Sequence, residues 1–237
     1  MILTTKNSIR EALNNETTIN KICLQIGAKD YEVQKLASIA RNKKIKIEYL
    51  PKLALDKKFG KNQGIVAETV EFKYSTVEEI LQSANSSLPF ILILDGINDT
   101  HNFGAIIRSA ECAGVHGIII PKDRAVPVNE TVIKTSTGAT SNVMIARVSN
   151  INNEIDKLKK QGLWVWAAEA GGNDIYKTNL NGPIAIVIGS EGNGISRLTK
   201  EKCDGIISMP MMGKINSLNA SVATGIVLFE VLRQRRS

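Results

Sequence analysis

The chain has 237 residues, 43% of them hydrophobic and 22% charged, with a formal net charge of +7. That is ordinary composition for a soluble globular protein, with material for one large domain or two modest ones. The longest apolar runs are strand-sized, which excludes a helix of the ~20 apolar residues a membrane span requires.

Cys23, Cys112 and Cys203 are widely spaced and odd in number, so neither a disulfide framework nor a CxxC metal site is expected. His101 and His116 are the chain's two histidines, too few for a zinc site. With no basic, then apolar, N-terminal leader, a cytoplasmic protein without membrane or metal is expected. The charge is uneven. Residues 1–75 hold 14 Lys/Arg against 8 Asp/Glu, whereas residues 76–237 hold 16 against 15. A basic module that holds a polyanion is one explanation and solubility alone is the other.

In chain order, Ser8 can cap a short helix with Ile9, Ala12 and Leu13 on one face. Alternation at Ile22, Leu24 and Ile26 predicts a strand ended by Gly27. Asp30 can cap a helix carrying Val33, Leu36, Ala37 and Ala40. Ile45, Ile47 and Tyr49 alternate up to Pro51, a short helix covers Leu53 to Phe59, and a strand runs from Ile65 to Val70. The turn-rich stretch ending in Pro89 marks a boundary. This predicts a small α/β domain over 1–72, a linker over 73–89 and a second domain over 90–237.

The second domain opens with the strand Phe90–Leu94. Asn102 is the expected N-cap of a helix with Phe103, Ile106, Ile107 and Ala110 on one side. Strands follow at Gly117–Pro121, Val143–Val148 and Leu163–Ala168, with helices capped by Asn129 and Asn150 between them. A loop is expected over 171–183. Ile184–Ile188 is an unbroken β-branched run, as in a buried parallel strand. Ile206–Met209 is a further short strand, and a long apolar helix closes the chain. Strands alternating with helices predict a mainly parallel α/β sheet, and strand ends with glycine-rich exits predict a ligand crevice.

Three stretches carry chemistry. Gly189-Ser190-Glu191-Gly192-Asn193-Gly194 suits a backbone wrapped closely on a small ligand, or a plain turn. It is neither a Walker loop nor GxGxxG. Asn102 to Arg108 places an arginine early in a helix, where it can hold an RNA phosphate or serve as a surface residue. His101 beside it is a general base or a packed loop histidine. Asn216-Ser217-Leu218-Asn219-Ala220-Ser221 crowds amides and hydroxyls at a helix start, more than capping needs. The helix beyond is apolar on most sides, which suits packing against another subunit, and Arg233, Arg235 and Arg236 suit its C-terminal dipole.

Asn102–Arg108, Ile188–Gly194 and Met209–Asn219 together resemble, in order and spacing, the three signature motifs of the SpoU/TrmH RNA 2′-O-ribose methyltransferases of the SPOUT superfamily. The resemblance spans residues 90–236. The first 70 residues, with Gln63-Gly64-Ile65-Val66-Ala67, resemble the L30e-like substrate-binding domain of the branch that methylates a guanosine of 23S rRNA. Thr100 stands where many relatives have Pro, and Phe103 where Leu is usual.

The resemblance implies a C-terminal parallel-sheet SPOUT domain with a trefoil knot, a homodimer through that domain, RNA as partner and S-adenosylmethionine as cofactor. By motif match, Ala168, Ile188, Gly189, Met209, Ser217 and Leu218 line the cofactor pocket. Asn102, Arg108, Glu191, Ser217 and Asn219 form the catalytic cluster, with Asn102 and Glu191 holding Arg108. The family's arginine is proposed as the base, yet a guanidinium of pKa above ~12 is a poor one. Pinning a phosphate and stabilising a developing alkoxide suit it better. The implied activity is an rRNA (guanosine-2′-O-)-methyltransferase. A tRNA ribose methyltransferase and a non-catalytic RNA-binding protein are the alternatives.

Overall fold

The computed structural model describes residues 2–14, 19–69, 72–214 and 217–236. Two compact units divide the chain, Met1–Lys73 and Tyr74–Ser237.

In the first unit, β1 (Ile2–Leu3), α1 (Lys6–Asn14), β2 (Ile19–Gln25), α2 (Tyr31–Asn42), β3 (Lys46–Leu50), α3 (Lys52–Phe59) and β4 (Ile65–Thr69) follow one another. The sheet order is β1-β4-β2-β3. β2 and β3 are parallel, and the other pairs antiparallel. Alternation along each strand sends successive side chains to opposite faces. Ile22, Leu24, Ile65 and Ala67 therefore meet the apolar stripes of α1 and α2, while Cys23 and Val66 meet Leu55 of α3. Asp30 caps α2 by accepting from the Glu32 and Val33 backbone N–H groups. β1 was not expected, because two residues carry no periodicity. It exists through its pairing with Ala67 and Glu68 of β4. Val70, the expected end of β4, lies outside the described residues.

The second unit contains α4 (Val77–Ser83), β5 (Phe90–Asp95), α5 (Thr100–Cys112), β6 (Gly117–Pro121), α6 (Glu130–Thr135), β7 (Met144–Val148), α7 (Ile151–Lys160), β8 (Trp164–Asp174), β9 (Ile184–Gly189), α8 (Arg197–Lys202), β10 (Gly205–Ser208) and α9 (Ala220–Arg236). Its six-stranded sheet has the order β10-β8-β9-β5-β6-β7, and every pairing is parallel. Ile91, Ile93, Val165 and Val187 pack with Ile151, Ile155 and Leu158 of α7 on one face. The alternate residues Phe90, Leu92, Leu94 and Ile186 are equally buried on the other, where α9 packs on β9 and on α5. Both faces are dry, which is why these strands are apolar throughout. Each such side chain contributes about 1.5–3 kcal/mol of burial.

Part of the segment expected as a linker, 73–89, belongs to this core. α4 carries a capping box between Thr76 and Glu79, and Val77 and Ile80 are buried among α7 and the sheet. β8 is longer than expected: Asn173 and Asp174 pair with Ile207 and Ser208 after a register shift. The loop expected over 171–183 accordingly shortens at its start. Gly172 permits this, since a Cβ there would stand 2.4 Å from the Ile206 carbonyl oxygen. α8 carries too weak an apolar pattern to be foreseen.

The C-terminal arginines do more than face a dipole. Arg235 donates to the carbonyls of Leu88, Pro89 and Gly182 at 2.9, 2.9 and 2.7 Å and stacks on Phe90. Arg233 makes two hydrogen bonds to the buried Glu230, and these hold the Glu230 carboxyl below its ordinary pKa. The end of α9 is thereby fastened to two loops and the first strand of the unit.

Candidate active site

The carboxyl ends of β8, β9 and β10 surround a cavity of about 700 Å³. β9 ends at Gly189, which lies opposite Asp95 of β5. The next five residues form a closed loop, with Ser190 and Gly194 exchanging backbone hydrogen bonds of 3.2 and 3.0 Å. Glycine is required at 189 because a Cβ would stand 2.2 Å from the Gly194 carbonyl carbon. The loop is anchored on both sides. Asp95 accepts from the Ser196 backbone N–H at 3.0 Å, and Glu169 accepts from that of Ile195 at 3.0 Å. Glu169 also pairs with Lys200 at 2.7 Å. Sequence reasoning missed Glu169, though an acid following the apolar run of β8 was a usable signal.

All six expected cofactor residues, Ala168, Ile188, Gly189, Met209, Ser217 and Leu218, line this one cavity. They come from β8, the end of β9, the residue after β10 and the approach to α9, and together they span residues 168–218. Ile175, Ile207 and Val227 add an apolar wall. Asn216 of the third motif lies outside the described residues.

On the rim, Glu191 gathers the polar groups. Its Oε1 accepts from Asn102 Nδ2 at 2.8 Å, Asn219 Nδ2 at 2.7 Å and the Ala220 backbone N–H at 3.2 Å. Asn219 Nδ2 also reaches Asn102 Oδ1 at 3.0 Å. Three residues that are distant in sequence thus meet at one oxygen. No hydrogen bond from a described residue reaches Glu191 Oε2.

Asn102 is not the N-cap of α5. Asp99 holds that position and accepts from the Asn102 backbone N–H at 2.7 Å. This leaves the Asn102 amide free to turn toward Glu191. Asn219 Oδ1 meanwhile accepts from the Ser221 and Val222 backbone N–H groups, so it supports the start of α9 as well.

The expected grip of Asn102 and Glu191 on Arg108 is not observed, because those groups are engaged with each other and Asn219. Arg108 stands exposed on α5, and neither it nor His101 makes a hydrogen bond or ion pair with another described residue. Ser217 lines the cavity beside Leu218. Val222, Ile226 and Phe229 on α9 are 51%, 36% and 47% exposed. Among the described residues no cluster of three or more His, Cys, Asp or Glu is placed to hold a metal.

Comparison with known proteins agrees with this arrangement. Residues 89–229 match the SpoU rRNA Methylase family, and residues 6–75 match the RNA 2′-O ribose methyltransferase substrate binding domain. YacO of Bacillus subtilis (strain 168), assigned to the TrmH family of tRNA/rRNA methyltransferases, is 40% identical over 235 residues, covering 97% of this chain and 94% of its own. The crystal structure of the SpoU methyltransferase AviRb from Streptomyces viridochromogenes, in complex with the cofactor AdoMet, has the same fold. Its TM-score is 0.65 at 22% identity, with 100% of this chain and 90% of that one covered. The TrmH/SpoU tRNA modifying enzyme of A. aeolicus aligns with a TM-score of 0.59 at 27% identity, over 67% of this chain and 83% of its own. With both units matched and the motifs converging on one crevice, the chain belongs to the SpoU methylase family of RNA methyltransferases.

Proposed function

We propose that this protein methylates a ribose 2′-hydroxyl of RNA with S-adenosylmethionine as donor, and that its target is a guanosine of large-subunit rRNA. One observation carries the reading: a glycine-floored cavity opens beside a polar cluster made from Asn102, Glu191 and Asn219.

The cavity suits the cofactor. Its volume lies in the range of small-molecule sites, and Gly189, Gly192 and Gly194 allow backbone to approach a ligand closely. Ile188, Ile207 and Val227 offer an apolar wall for a planar base. Ala168, Ile188, Gly189, Met209, Ser217 and Leu218 would hold the group, which supplies an electrophilic methyl on a sulfonium. The chain's own residues must orient the attacking hydroxyl and receive its proton. Arg108, with no partner among the described residues, is free to hold a phosphate beside the ribose and stabilise the developing alkoxide. Glu191 keeps Oε2 unengaged while three donors fix Oε1, so it is a better proton acceptor than a guanidinium. Asn102 and Asn219 would set its orientation, and Ser217, which lines the cavity, would bond either reactant.

Large-subunit rRNA is favoured over tRNA by the N-terminal unit. The tRNA modifying enzyme of A. aeolicus aligns with 67% of this chain, about the size of the second unit alone, whereas the rRNA methyltransferase of Sinorhizobium meliloti aligns with 98% of it, at a TM-score of 0.63 and 22% identity. A homodimer through the second unit and a trefoil-knotted C-terminal chain belong to the same proposal. The exposed Val222, Ile226 and Phe229 support the dimer, and a monomeric mass at micromolar concentration would count against it.

The test is direct. The purified protein is incubated with methyl-labelled S-adenosylmethionine and either unmodified large-subunit rRNA or tRNA, and the nucleosides are then separated by mass spectrometry. Labelled 2′-O-methylguanosine from rRNA supports the reading. Label in tRNA alone overturns the substrate, and no label in either overturns the activity.

A further inference from the structure

Four non-glycine residues among the described ones have positive φ: Lys44, Asn85, Arg124 and Thr137. Lys44, Asn85 and Thr137 each stand two places beyond the end of a helix, α2, α4 and α6. That is the position where left-handed backbone ordinarily terminates a helix. Arg124, at φ 59°, has no such excuse. It follows strand β6, in a segment without regular structure. A left-handed residue away from a helix end is a place to look for a functional constraint.

Its location suggests the constraint. The segment after β6 is pinned to the segment after β5 by a hydrogen bond from the Val126 backbone N–H to the Ile97 carbonyl at 3.2 Å. Beside Gly96, the Arg124 carbonyl oxygen and the Ser190 side chain lie within 4 Å of one point, where a Cβ would be. The Arg124 backbone is therefore near Ser190, the residue that opens the closed loop and precedes Glu191. The Arg124 side chain is exposed and makes no ion pair or hydrogen bond with another described residue.

The charge balance at this mouth gives the side chain a task. Glu191 lines the crevice, and Asp95 and Asp99 lie in the segments joined to it, Asp95 on the Ser196 backbone N–H and Asp99 on that of Asn102, so all three carboxylates are engaged with backbone or amide N–H groups. An RNA strand entering there meets three acids, so it needs cations not already spent on them. Arg108 is one such cation and Arg124 is another. We propose that Arg124 is a substrate-binding residue whose guanidinium takes an RNA phosphate at the edge of the crevice, on the Ser190 side. This inference rests on the RNA-methylating reading above and adds a contact that the three motifs do not contain.

The test compares wild type with Arg124→Gly, Arg124→Ala and Arg124→Lys, using unmodified large-subunit rRNA transcribed in vitro. Glycine separates the two roles of the position, because it accepts the left-handed backbone without cost while removing the guanidinium. Arg124→Gly is expected to melt no lower than wild type and to bind S-adenosylmethionine unchanged. Its KM for RNA should rise about tenfold with kcat changed far less. The slope of log Kd for RNA against log salt should shrink by about one, as for one lost phosphate contact. Arg124→Lys should restore most of the slope. Wild-type RNA affinity and salt slope in Arg124→Gly would overturn the proposal, as would equal loss of RNA and cofactor binding. The functional reading is judged separately. Wild type that binds this RNA without methylating it defeats that reading, while the Arg124 comparison still stands on binding.

Discussion

Glu191 spends one carboxylate oxygen on three donors and leaves the other open. Substituting glutamine keeps an acceptor for the Asn102 amide and removes the proposed proton acceptor. Glu191→Gln is therefore expected to lower kcat by about 10²-fold or more, within the range of general-base losses, with little change in melting temperature. Arg108→Ala is expected to abolish methyl transfer while cofactor binding stays nearly intact, because Arg108 does not line the cavity. Isothermal titration with S-adenosylmethionine and single-turnover methylation check both. Full activity in either variant removes that residue from the chemistry. A second residue-scale effect lies away from the site. His116 accepts from the Phe90 backbone N–H at Nδ1 and faces Ser87 Oγ through Nε2, and burial holds its pKa below the ordinary 6.5. The unfolded chain then binds more protons than the folded one just below pH 6.5. Stability from this group is present above that pH and falls away as the pH drops toward the folded value. Urea midpoints measured from pH 7.5 to 5.5 should decline in wild type and decline less in His116→Gln. Parallel profiles would exclude the effect.

At the scale of elements, the β9–loop junction is the most demanding join in the site. Gly189→Ala puts a methyl 2.2 Å from backbone carbon of Gly194, and backbone cannot rotate aside as a long side chain can. A cost of about 2–3 kcal/mol is expected, at the upper end for overpacking, with cofactor affinity lowered at least tenfold because the loop must open. Chemical denaturation and cofactor titration measure the two. An alanine variant with wild-type affinity would show that the closed loop is not part of the pocket. The element boundaries also explain what periodicity missed. Asn102 was expected to cap α5, yet Asp99 three residues earlier is an equally good cap. Local propensity ranks the two together, and only the Glu191 contact decides how the Asn102 amide is used. β8 continued past its apolar stretch because β10, some 30 residues later, pairs with its second half.

For the whole molecule, the charge asymmetry predicts a division of labour between the two units. Removing residues 1–73 is expected to leave cofactor binding of the second unit unchanged and to reduce affinity for rRNA by at least tenfold, with a shallower salt dependence. The first 75 residues carry 14 of the 30 Lys and Arg. Filter binding across a salt series tests this, and unchanged RNA affinity would assign RNA recognition to the second unit. Composition, strand and helix periodicity, and the three motifs were legible in the sequence, because burial patterns and glycine requirements are local and repeat along the chain. The six expected cofactor residues that line the cavity were named through the resemblance to the SpoU/TrmH family. What tertiary structure alone decided were the long-range pairings. Glu169 anchors the loop, Arg235 fastens α9 to Leu88, Pro89 and Gly182, and Asn219 rather than Arg108 takes the Asn102–Glu191 pair. Each joins residues tens of positions apart through a few hydrogen bonds or an ion pair. Such contacts leave no periodic trace in a sequence, since they depend on where the strand ends bring backbone and side chain together.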